Sequence, residues 1–106
     1  MGNLVLVYIA FPGFEEAKAV SKELLEARLV ICVNIFPEVS SFYLWKGEIN
    51  TSSEVVAIMK STSDLVDKIT EGIESRHSYG QPIIAVIPIE RANRFFVNWV
   101  NDVIGM

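Results

Sequence analysis

One cysteine and one histidine occur in 106 residues, and each scarcity excludes something. A lone cysteine rules out an intrachain disulfide, so nothing in the sequence demands an oxidising compartment. A closed structural zinc site needs about four ligands, commonly cysteine and histidine, which one chain does not supply. Basic residues are also few, nine against thirteen acidic ones, for a net charge of −4. They are scattered, with no run that would track a phosphate backbone, which argues against a nucleic-acid partner. Long apolar runs are missing too: Leu4 to Phe11 spans eight residues, far short of the ~20 a membrane helix needs. The first residues lack the basic segment and small-residue cleavage site of a secretory signal. Cytoplasmic residence without a membrane partner is therefore expected.

Catalytic signatures are equally scarce. There is no G-x-G-x-x-G, no phosphate-binding G-K-[ST] loop and no G-x-S-x-G. The acidic pairs Glu15-Glu16 and Asp64/Asp67 fall on helix faces expected to be solvated rather than catalytic. What the chain does have is apolar surface. Hydrophobic residues make up 51% and charged residues 21%, with a mean hydropathy of +0.36. That is apolar for a small domain, and self-association is the simplest source of extra buried surface.

A single domain over residues 1–106 is expected. Leu4 to Phe11 is β-branched and aromatic without alternation, the pattern of a central strand covered on both faces. A helix from Phe14 carries Ala17, Val20, Leu24 and Ala27 as one stripe. Leu29 to Phe36 reads as a second strand, interrupted at Pro37, which marks an edge or a bulge because it cannot donate to a ladder. The strand resumes at Ser40 and runs to Trp45. A two-residue turn at Lys46-Gly47 then pairs Trp45 with Glu48 and Ser41 with Ser52. The return strand runs to Lys60. Thr62 or Ser63 is placed to cap a second helix with the stripe Leu65, Ile69 and Ile73. A polar connector from Arg76 to Pro82 leads into a fourth strand, Ile83 to Ile87, with Pro88 suited to an edge. A last helix shows Ala92, Phe95, Phe96, Trp99, Val100 and Val103. This order indicates an α+β class, a ferredoxin-like β-α-β-β-α-β sandwich with an extra C-terminal helix. Two helices cover one face of a four-stranded sheet, and the second face is expected to be covered too, by the third helix or by a neighbour.

Each strand of the hairpin would be roughly 40–50 Å long, whereas the first strand reaches only ~26 Å at the same rise per residue. The hairpin overshoots its sheet. Its aromatic arm, with Phe42, Tyr43 and Trp45, would be an aggregation liability unless another subunit covers it. An obligate homo-oligomer follows, with those three residues at the interface.

Candidate site residues are few. Cys32 alternates with Val30, Asn34 and Phe36, which reads as a plain buried thiol before a ligand or nucleophile. His77 sits in the polar connector beside Tyr79, where a site role and an ordinary loop role are equally open. Lys60, at the end of an apolar strand, either projects into a cleft or serves solubility.

The stretch Ala27-Arg28-Leu29-Val30-Ile31-Cys32-Val33-Asn34-Ile35-Phe36-Pro37, followed by Tyr43-Leu44-Trp45-Lys46-Gly47-Glu48-Ile49, resembles the CutA divalent-cation tolerance family. Met59-Lys60-Ser61-Thr62, the His77…Tyr79…Pro82 frame, Ile87-Pro88-Ile89 and Phe96-x-x-Trp99 extend the likeness over nearly the whole chain. The resemblance implies a tight homotrimer, architecturally similar to PII signalling proteins. It also implies a non-catalytic role in tolerance of divalent cations, copper above all, with a pocket between subunits. On that reading His77 is the candidate metal ligand, with Cys32, Lys60 and Tyr79 near the cleft. Copper or another divalent cation is the only cofactor implied. The chain departs from the family pattern at Ser78, Gly80 and Ile83, and has Ile9 and Arg76 where some bacterial members carry a cysteine and a histidine. The alternative is a PII-like module that binds a small anionic metabolite through Lys60 and backbone donors of the connector. An enzyme using Cys32 and His77 ranks last, because nucleophilic catalysis needs an orienting third group that the sequence does not show.

Overall fold

Leu4–Phe11 forms β1, apolar throughout but alternating in burial, and that alternation decides how the domain is layered. Val5, Val7, Ile9 and Phe11 are buried, while Leu6, Tyr8 and Ala10 stay partly open. The buried set meets Ala17, Val20 and Leu24 of α1 (Phe14–Glu26) and Ile69 and Ile73 of α2 (Val66–Glu74). In this computed structural model, which describes residues 2–105, the long strands β2 (Cys32–Trp45) and β3 (Glu48–Thr62) follow α1. β4 (Ile84–Pro88) follows α2, and α3 (Arg94–Ile104) ends the chain. Among the described residues the strands form one antiparallel sheet in the order β2-β3-β1-β4. The α+β ferredoxin-like sandwich with an added C-terminal helix is the architecture observed, and Pro88 lies on an edge strand.

Several elements differ from the sequence expectation for identifiable reasons. The second strand begins at Cys32, not Leu29, because Arg28 and Leu29 terminate α1. Arg28 N–H donates to the Leu25 carbonyl and Leu29 N–H to the Leu24 carbonyl, both at 3.0 Å, with Arg28 at φ 58°. That is a Schellman ending with arginine where glycine is usual. Ala27 becomes the exposed C-cap and leaves the stripe. Val30, expected on the face of Cys32, is instead fully buried in the helix-side core. Ser61 Oγ donates to the Leu29 carbonyl at 2.5 Å and ties this connection to β3.

Thr62 and Ser63 do not cap the second helix through their side chains. A 3-10 turn over Ser63–Leu65 intervenes, and its polar groups hold the start of the chain. Ser63 Oγ accepts from Asn3 N–H at 3.0 Å and Asp64 Oδ1 from Gly2 N–H at 2.8 Å. Gly72 lets the helices approach, since a Cβ there would stand 3.0 Å from Leu24 Cδ2. β4 is shifted by one residue, leaving Ile83 80% exposed. In α3 the Asn93 side chain caps Phe96 N–H at 3.1 Å, Ala92 lies before the helix, and Val100 is its buried residue.

The hairpin keeps the turn and register expected of it. Lys46 (φ 52°) and Gly47 (φ 80°) make the two-residue turn, pairing Trp45 with Glu48 and Ser41 with Ser52. Pro37 lies in a bulge: Phe36 pairs with Val56 and Val39 with Glu54, so β2 spends one extra residue. The second sheet face, expected to be covered by the third helix or a neighbour, is partly open in the single chain. Tyr8, Phe36 and Ile87 remain 38–46% exposed. The described part measures 45 × 26 × 22 Å, with the hairpin far longer than β1.

Two substitutions test the turn chemistry. Arg28→Gly relieves a left-handed residue and should raise stability by about 1 kcal/mol, whereas Gly47→Ala should lower it by about the same. Urea unfolding at fixed protein concentration measures both; shifts of the same sign would contradict the assignment.

Candidate site on the open sheet face

Strand register fixes which side chains share the open face. Cys32, Lys60, Leu6 and Ile87 form one row across the sheet, and Asn34, Ile58, Tyr8 and Ala85 the next. Phe36, Val56 and Ala10 make the third. Beyond the bulge the parity of β2 reverses, so Val39, Ser41, Tyr43 and Trp45 continue this face opposite Glu54, Ser52, Asn50 and Glu48. Phe42 and Leu44 turn to the helix side, where no helix among the described residues reaches them, and are 73% and 75% exposed.

Two small clusters stand on this surface. In the first, Lys60 Nζ donates to Asn34 Oδ1 at 2.8 Å and contacts Cys32 Sγ at 3.4 Å. Cys32 is therefore a partly exposed thiol beside an ammonium, not the plain core thiol its alternation suggested.

The second cluster is built by the connector. The His77 ring is buried and stacks on Phe11 with centroids 4.9 Å apart and planes at 18°. Its Nε2 is 2.7 Å from the Ala10 carbonyl oxygen, and its Nδ1 accepts Tyr79 N–H at 3.1 Å. Glu16 Oε2, 3.7 Å from Nδ1, accepts Ser78 N–H at 3.2 Å. Arg76 pairs with Glu23 and donates to the Gly72 carbonyl. So anchored, the connector sends Tyr79 over the open face, where its hydroxyl donates to Glu54 Oε2 at 2.9 Å.

Tyr79 and Glu54 wall a groove of about 590 Å³. Tyr8, Tyr43 and Trp45 supply aromatic surface there, and Ser41, Ser52 and Gln81 supply polar groups. Burial, reinforced by the Glu54 carboxylate, pushes the Tyr79 phenol up to about 12, so it stays a donor.

Of the four residues singled out from the sequence, Cys32 meets Lys60 and His77 meets Tyr79. The two pairs do not meet within one chain. Lys60 and Glu54 are six residues apart along β3, roughly 20 Å at the rise of a strand. Among the described residues no three His, Cys, Asp or Glu side chains converge to hold a metal. Glu54, Glu16 and Asn34 were missed by sequence reasoning. The register of Ser41 with Ser52 carried a signal for Glu54, once the bulge is counted. Nothing comparable pointed to Glu16, which is adjacent only in space.

The raised phenol gives a pH test. Its folded-state value lies above the ordinary value near 10, so its contribution to stability is complete below about pH 10 and is lost as pH rises towards 12. Ultraviolet titration of the three tyrosines should show one ionising last, absent in Tyr79→Phe. An unchanged titration tail in that variant would contradict the Tyr79–Glu54 bond.

A family model described as CutA1 divalent ion tolerance protein matches residues 5–103. The divalent-cation tolerance protein CutA of Archaeoglobus fulgidus is 39% identical over 98 residues, 92% of this chain and 95% of that protein. Its solved structure, described as periplasmic, matches with a TM-score of 0.90 at 37% identity, covering 95% of this chain and 98% of that one. The crystal structure of CutA1 from Ehrlichia chaffeensis matches with a TM-score of 0.91 at 40% identity, over 100% of this chain and 99% of that one. Mouse Protein CutA is 34% identical over 96% of this chain, which spans 58% of the mouse protein. By family model, sequence and fold alike, the chain belongs to the CutA1 divalent ion tolerance family.

Proposed function

We propose that this chain acts in divalent-cation tolerance as a non-catalytic homotrimer, with copper or another divalent cation met in a cleft between subunits. The observation that carries this reading is the continuity of the open sheet face with the bare hairpin arm. Phe42, Leu44, Trp45 and Ile49 are between 64% and 75% exposed. Covering each is worth roughly 1.5–3 kcal/mol, so the arm favours association strongly. It also carries unpaired strand edges that a neighbouring sheet can satisfy. Phe42, Tyr43 and Trp45 are the interface residues on this reading, and three is the subunit number implied by the family resemblance. Solution in the cytoplasm, with this chain as its own partner, completes the proposal; cell fractionation checks the location.

Imidazole and thiolate suit copper, yet within one chain they are apart and no cluster of three donors forms among the described residues. Among the described residues, one chain alone presents no such donor set for a divalent cation. In this proposal the cation therefore depends on donors from more than one chain, with Cys32, Lys60 and Tyr79 facing the cleft from this one.

Light scattering at micromolar concentration should give three times the 11.9 kDa chain mass, and Phe42→Ser combined with Trp45→Ser should reduce it. A monomer mass for the wild type overturns the assembly. Copper titration tests the cleft separately: the dissociated variant should lose affinity, whereas equal binding by both proteins would put the site within one chain.

A further inference from the structure

The only histidine of a chain in a divalent-cation tolerance family is the natural ligand to suspect. The geometry points to a different assignment: His77 is a positioning residue that fixes the Tyr79–Glu54 wall of the groove, and it offers no nitrogen to a cation.

A neutral imidazole has one donor and one acceptor nitrogen. Here both have partners within the chain. Nδ1 accepts the Tyr79 N–H at 3.1 Å, which leaves the ring proton on Nε2, and Nε2 faces the Ala10 carbonyl at 2.7 Å. A cation on Nδ1 would displace the Tyr79 amide. A cation on Nε2 would require loss of that proton and would strand a carbonyl beside the end of β1. The His77 side chain is 0% exposed. It lies between Phe11 and the Tyr79 ring, whose centroid is 4.8 Å away at 45°. No lone pair of the ring is open to the groove.

The same bonds explain what the ring does. Holding the Tyr79 backbone on one side and β1 on the other, His77 sets the point from which the Tyr79 side chain reaches Glu54 at 2.9 Å. Glu16 steadies the step between them by accepting Ser78 N–H at 3.2 Å. A ligand at this wall meets a phenol and a carboxylate, both acting through oxygen, and no imidazole. Soft-metal recognition there has lost its nitrogen donor. This assignment goes beyond the trimeric reading and holds for one subunit or three.

Nitrogen-15 NMR of the wild-type imidazole tests it directly. The expected spectrum is a neutral ring protonated on Nε2, unmoved by added zinc. His77→Gln retains a donor for Ala10, while His77→Asn retains an acceptor for the Tyr79 amide. Both should bind as many copper ions per chain as the wild type does. Exchange of the Tyr79 amide should become roughly tenfold faster in the Gln variant, the upper end of what one hydrogen bond contributes, and should stay near wild type in the Asn variant. A zinc-dependent shift of the ring nitrogens, or loss of one bound cation per chain in both variants, would overturn the assignment. So would a Tyr79 amide indifferent to His77→Gln. The spectrum of the wild type decides even if neither variant folds.

Discussion

Between Phe36 and Val39, β2 takes three steps while β3 takes two from Val56 to Glu54. That single extra residue reverses the parity of everything further out. Without it Phe42 and Leu44 would lie on the open face; with it Tyr43 and Trp45 do, in line with Tyr8 and opposite Asn50 and Glu48. Pro37 suits the position because it has no amide proton to waste, and an edge strand tolerates the gap. The groove, its aromatic lining and its distance from the helix-side core all depend on this irregularity. So does the exposure of Phe42 and Leu44, which face the helix side beyond the reach of any helix among the described residues.

The connector after α2 is the second constraint, and it works from the opposite edge of the face. Its residues are polar and would be mobile in isolation, yet they are tied to β1 by His77, to α1 by Glu16 and to β3 by Tyr79. Three consecutive residues, His77 to Tyr79, thus link three elements that are far apart in sequence. The cluster at Lys60, Asn34 and Cys32 belongs to the same sheet face but to its inner rows, so in a single chain the two clusters are separate features. An assembly that lays a neighbour across the face is what would bring further groups to either one.

Much of this was legible from residue patterns because the determinants are local. The turn at Lys46-Gly47 sets its own register, Pro37 announces the bulge, and the stripe of Ile69 and Ile73 follows helical spacing. Local rules failed where a residue was used by something distant. Leu29 looks like the start of a strand but is spent, with Arg28, on ending α1. Thr62, Ser63 and Asp64 have the chemistry of a cap, yet Ser63 and Asp64 hold Gly2 and Asn3. Cys32 looked buried because alternation does not say which sheet face lacks a cover. For His77, sequence could name the only imidazole but not its partners, since Ala10 and Glu16 reach it only through the fold.

In the proposed assembly the hairpin arm is covered by other copies of the chain. Trp45 is 64% exposed in the single chain, and Trp99→Phe would leave it as the sole tryptophan. Acrylamide quenching of that variant at micromolar concentration is the most direct measurement. A Trp45 shielded by a neighbour should show blue-shifted emission and slow quenching. Emission and quenching like those of free tryptophan would mean an uncovered arm and would contradict that assembly.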